Sequence, residues 1–165
     1  ARAATGLVLH FFGEFEAAAA ECRDALGLDP DFAAAQWTLA KTQLGQGKAS
    51  AALELLQPLV GASRWAPALG DYGRALGLCG RLEEARAILE TLTSESAYVR
   101  PYDLALVRMG LHEHDAALDQ LERAFDEGGN WLNYLRLDPA FAELQGHPRF
   151  TTLLRRVAGG PENQS

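Results

Sequence analysis

His112-Glu113-His114-Asp115 sets two imidazoles one residue apart and interleaves them with two carboxylates. These are donors that a divalent metal accepts, but a metal needs donors that converge. Alternate residues at a helix start point to different sides, so the segment reads as an exposed turn and no metal ligand is expected. His10 and His147 stand alone, the first as a helix-surface residue and the second as a cap. Glu83 and Glu84 fall at a helix start, where carboxylates meet the positive end of the helix dipole. Cys22 and Cys79, the two cysteines, lie far apart in apolar helical patterns and read as buried free thiols. No phosphate-cradling glycine loop, metalloprotease helix motif or nucleophile elbow occurs, and no nucleophile has a base beside it. Catalytic residues and cofactors are therefore expected to be none, and the chain is expected not to be an enzyme.

Composition sets the frame for these residues. A chain of 165 residues, 48% hydrophobic and 22% charged, suits one domain or a short array of stacked units rather than two domains or a disordered chain. Its net charge of −7 disfavours nucleic acid, whose binding relies on clustered Lys and Arg. No run approaches the roughly 18 apolar residues of a membrane helix, so no membrane contact is expected of this segment, and no signal peptide is evident. The chain opens "ARAATG" and reads as a piece of a longer protein, with a cytoplasmic location as the expectation.

Ala18, Ala52, Ala85 and Ala117 recur at spacings of 34, 33 and 32 residues, each just after a helical start: "GEFEAA", "GKASAA", "GRLEEA" and "HEHDAA". Twelve residues upstream of each comes another small residue, Gly6, Ala40, Gly73 and Ala105. Two helices approach closely only where side chains are small, so each pair predicts one helical hairpin. Four residues after the marker come Cys22, Leu56, Leu89 and Leu121, and seven after it Ala25, Leu59, Leu92 and Ala124. That spacing puts them on one helical face, turned to the core.

Gly13, Gly47 and Gly80 fall between the paired helices, where a left-handed residue ends the first. The fourth unit has His112 there, with Gly110 two residues earlier, and a different turn is expected. Between units, Asp29 and Pro30 provide a cap and a helix start, as do Pro67 and Pro101 for later units. Pro58, late in the second unit's second helix, is expected to kink or end it.

In its unit length and its order of small, aromatic and Asp-Pro positions, residues 1 to 127 resemble the tetratricopeptide repeat. Gln36 and Leu69 depart from the family's frequent Trp, and Cys22 from a frequent aromatic. The resemblance implies an all-α, right-handed α-α superhelix of four hairpins, at about 1–30, 31–63, 64–96 and 97–127.

The repeat then stops. "NWLNYLRLDPAFAELQGHPRFTTLLRRV", from Asn130, carries two cap-and-proline starts, Asp138-Pro139 and His147-Pro148, and predicts two short helices. Residues 128–158 are expected to cap the last hairpin, as terminal units of solenoids require, with a flexible tail at 159–165. With "VRPYDLALVRMGLHEHDAALDQLERAFDEG" before it, this region resembles the C-terminal repeats of bacterial signalling proteins. In those proteins such arrays follow a winged-helix, adenylate cyclase or serine/threonine kinase domain, which implies a regulatory context.

In a stack of hairpins the first helices line the concave side, the natural groove for a protein or peptide ligand. Helical projection selects His10 and Phe11, Trp37 and Lys41, Asp71 and Arg74, and Tyr102 and Leu106, one pair per unit. Trp, Tyr and Arg are common interface anchors, and Lys41 with Arg74 suits an acidic group on a ligand. Alternatively, Trp37 and Tyr102 pack between repeats. The function expected is a non-enzymatic protein-interaction module. The alternative is self-association, as a homodimer, or packing against an upstream effector domain.

Overall fold

The computed structural model describes residues 2–62, 65–94 and 98–159. The tail expected at 159–165 lies, apart from Gly159, outside the described residues, as do the unit boundaries at 63/64 and 96/97. Among the described residues the chain is helical throughout: α1 (Arg2–Phe11), α2 (Phe15–Leu28), α3 (Ala33–Gly45), α4 (Ala49–Ala62), α5 (Ala66–Leu78), α6 (Leu82–Ser94), α7 (Pro101–Gly110), α8 (His114–Asp126) and α9 (Pro148–Gly159). Two 3-10 segments, Asn130–Tyr134 and Pro139–Leu144, separate α8 from α9.

Helices pair as α1/α2, α3/α4, α5/α6 and α7/α8, and the first helices also pack on one another in sequence, α1 on α3, α3 on α5 and α5 on α7. The small residues make this possible. Ala18, Ala52, Ala85 and Ala117 have no exposed surface, and Gly6 faces α2 so closely that a β-carbon there would lie 2.8 Å from Cys22 Sγ. The tightest crossing is α5 on α7. A β-carbon on Gly77 would run into the Gly110 carbonyl, and one on Gly110 would lie 2.5 Å from the Arg74 carbonyl oxygen.

All four hairpin turns are alike. The amide after the left-handed residue donates to a carbonyl five residues back: Glu14 to Leu9 at 2.9 Å, Lys48 to Gln43 at 2.8 Å, Arg81 to Leu76 at 2.9 Å and Glu113 to Arg108 at 3.0 Å. This is the hydrogen bond of a Schellman ending. Gly13, Gly47 and Gly80 take φ of 78°, 75° and 78°, and His112 takes 58° in the same place. The different fourth turn expected from the sequence is thus corrected: His112 adopts the glycine conformation, and Gly110 serves the α5 crossing instead.

Two further expectations change. Helix α4 runs on to Ala62 through Pro58, because the ring lies on an exposed face near the helix end, where water can satisfy the freed carbonyl. Pro30 stays outside α3, which begins at Ala33, while Asp29 Oδ1 accepts the Asp31 N–H at 3.2 Å within the loop. Pro67 and Pro101 do stand in the first turns of α5 and α7. Both thiols are free; Cys22 is buried, but Cys79 is only half-buried. Burial, with Glu21 beside it, pushes the Cys22 thiol up to about 11.

Candidate functional site

The four first helices pack on one another in sequence, and the eight residues projected onto their shared face, the wall, are expected to line an open groove. None is open to solvent: His10, Phe11, Trp37, Lys41, Asp71, Arg74, Tyr102 and Leu106 are each buried. What covers the wall is the chain's own segment from Trp131 to Phe141. The tail does close the last hairpin, since Leu135, Leu144, Phe150 and Leu153 join the core of α7 and α8. Before doing so it crosses the first helices, and the sequence gives no sign of that path.

Trp131 is the hub of this cover. Its ring centroid lies 6.2 Å from Phe11, 6.1 Å from Trp37, 6.3 Å from Tyr102 and 6.3 Å from Tyr134. The Arg100 guanidinium sits 5.1 Å from the same ring, a cation–π distance. Tyr134 stacks on Phe11 at 4.5 Å with 13° between the planes, and Phe141 meets Tyr102 edge-on at 5.3 Å. The tail thereby touches hairpins one, two and four.

Beneath the aromatic residues lies a charged centre. Lys41 Nζ stands 3.5 Å from Asp71 Oδ1 and 3.4 Å from Asp138 Oδ2. The Trp37 indole N–H donates to Asp71 Oδ2 at 2.8 Å. The Tyr102 hydroxyl donates to Asp138 Oδ2 at 2.5 Å, and Asp138 Oδ1 accepts the Ala140 N–H at 2.8 Å. Asp138 therefore caps its own 3-10 segment with one oxygen and binds the wall with the other. Such density of partners is what buried charge requires.

The titration shifts follow from these contacts. Burial alone would lower the Lys41 ammonium, but Asp138 and Asp71 outweigh it and hold the pKa above its ordinary value. Burial alone would raise Asp138, but Lys41, the Tyr102 hydroxyl and the Ala140 amide bring it below the usual carboxylate range. Burial and the adjoining Asp138 push Tyr102 well up. Lys41 and Asp138 thus stay an ion pair throughout the neutral range.

The remaining wall residues serve differently. His10, expected on a helix surface, packs between Phe11 and Phe15 at centroid distances of 5.3 and 5.7 Å, and neither ring nitrogen has a hydrogen-bond partner. Burial first, then the positive charges of Lys41 and Arg74 against an opposing Asp138, lowers its pKa to about 3. Leu106 joins the core shared by α7, α8 and the tail.

Among the other histidines, His147 Nδ1 accepts the Arg149 N–H at 3.3 Å, as a cap does. His112 and His114, expected to diverge, converge. His114 Nε2 is 3.0 Å, and His112 Nδ1 3.8 Å, from Glu143 Oε2. The helical rule does not govern them because His112 belongs to the left-handed turn, not to α8.

Residues 12–64 match the sequence family described as Tetratricopeptide repeat. No curated protein sequence matches the chain. Its fold is similar to the crystal structure of MamA, with a TM-score of 0.51 and 20% identity over 93% of this chain and 92% of that one. No helix of the described residues is long and apolar enough to cross a membrane. The architecture is an all-helical solenoid of stacked hairpins, with tetratricopeptide-repeat sequence over residues 12–64.

Proposed function

We propose that this chain is a non-catalytic protein-interaction module whose concave wall recognises a peptide carrying an acid between aromatic residues, a place its own residues 131–141 fill. The observation that carries this reading is the setting of Lys41, a buried cation met by a carboxylate from a separate segment at 3.4 Å. A partner with the same chemistry would compete with the resident segment, and affinity would come from a few desolvated anchors. The sequence resemblance of the C-terminal region supports a place within a larger bacterial regulatory protein.

Fluorescence anisotropy with a labelled peptide spanning residues 129–146 tests this. The parent chain should bind it weakly, because its own segment competes. A Trp131→Ala/Asp138→Ala variant should bind it more tightly. A folded variant that ignores the peptide would overturn the reading.

Self-association through the first hairpin is the second reading. Val8 and Phe12 there, one helical turn apart through the Phe12 N–H to the Val8 carbonyl, are 45% and 66% exposed, an apolar pair open to another protein. Light scattering separates the two, since a dimer abolished by Val8→Ser/Phe12→Ser would favour this second reading.

A further inference from the structure

We propose that His112, His114 and Glu143 form a binding site for one divalent transition-metal ion, clasping the fourth hairpin turn to the C-terminal segment. One ligand atom from each lies within 4.8 Å of the other two. Three donors around one tetrahedral metal, at bonds of about 2.0 to 2.2 Å, stand about 3.3 to 3.6 Å apart. The contacts of 3.0 and 3.8 Å to Glu143 Oε2 straddle that span. All three side chains are partly exposed, so small rotations can complete the geometry, and a fourth position stays open to water.

The second observation is the backbone under His112. The three sister turns place glycine there, and the fold asks nothing more of the position than a positive φ. A residue with a β-carbon is uncommon in that region. It occurs here where the side chain projects onto Glu143, and the same turn frees His114 at the start of α8 to face that carboxylate. Two imidazoles and one carboxylate suit zinc, cobalt, nickel or copper rather than calcium or magnesium, which prefer all-oxygen shells.

Glu143 lies in the 3-10 segment Pro139–Leu144, which also bears Phe141 and is capped by Asp138. An ion here would fasten the segment that covers the concave wall. The site stands on its own three residues and does not depend on what the wall binds.

The test uses the whole chain after chelator treatment, titrated calorimetrically with zinc chloride, with cobalt(II) absorption as a second probe. The expected result is one ion per chain and a raised melting temperature, since an ion that binds only the folded state stabilises it. His112→Gly suits the turn and removes one ligand; Glu143→Gln keeps the shape and removes the charge. Each should weaken zinc binding by about tenfold or more while the chain stays folded. His147→Ala removes a neighbouring imidazole and should leave the affinity unchanged. No saturable binding, parent-like affinity in His112→Gly, or an equal loss in His147→Ala would overturn the assignment.

Discussion

The Lys41 ammonium lies 3.4 Å from the Asp138 carboxylate, and both side chains are withdrawn from water. Asp71 shares the same cation at 3.5 Å, so one buried positive charge answers two negative ones. Lys41→Met would leave both carboxylates without it. Breaking a buried pair by removing one partner costs about 3 to 5 kcal/mol, and urea unfolding should show a loss of that order. A loss below about 1 kcal/mol would mean that water reaches the centre.

Trp131→Ala removes the ring that touches Phe11, Trp37 and Tyr102. Truncating a large aromatic costs up to about 3 to 5 kcal/mol when fully buried, and less here because Trp131 is half-buried. Hydrogen exchange should accelerate at residues 131–141 and also in α1 and α3, while α6 keeps its protection. Acceleration confined to the tail would show that its cover contributes nothing to the first two hairpins.

His10 makes stability depend on acidity. Its folded pKa is lowered from 6.5 to about 3, so below about pH 6.5 the unfolded chain takes up a proton that the folded chain refuses. Unfolding free energy should therefore fall on acidification, with a slope approaching about 1.4 kcal/mol per pH unit, until His10 itself titrates near 3. Asp138, also held low, adds its loss only at more acidic pH. His10→Phe should flatten the decline between pH 6 and 4; an unchanged slope would assign it to other groups.

The α5–α7 crossing depends on bare backbone. Gly77→Ala puts a methyl group into the Gly110 carbonyl, and overpacking of this kind costs about 1 to 3 kcal/mol. Gly61→Ala, with open space at its β-carbon in helix α4, should instead stabilise by about 0.4 to 1 kcal/mol. Thermal unfolding of both variants compares the two; equal midpoints would mean that α5 and α7 can part freely.

The repeat was legible because close helix packing restricts residue type: alanine or glycine where two axes meet, a left-handed residue where a helix ends. Those demands are local, and they recur at fixed spacing. The path of the tail left no such trace. Asp138 reads as a helix cap from sequence and is one, so nothing in the pattern reveals that its other oxygen reaches Lys41 and Tyr102. Trp131 and Tyr134 look like ordinary apolar cover for the last hairpin until Phe11 is seen beneath them. The convergence of His112 and His114 is hidden for a related reason: His112 lies in a left-handed turn before α8, to which helical periodicity does not extend.

Because Trp131 and Tyr134 complete packing begun by Phe11 and Trp37, the order of synthesis matters. As the ribosome delivers this chain, the opening hairpins emerge with their inner faces wet, Lys41 meets Asp71 once α5 follows, and the cover arrives only after the fourth pair has left the exit tunnel. Folding that advances from one end would stall short of its final stability until the last aromatic residues arrive, a window in which a chaperone would find those faces open.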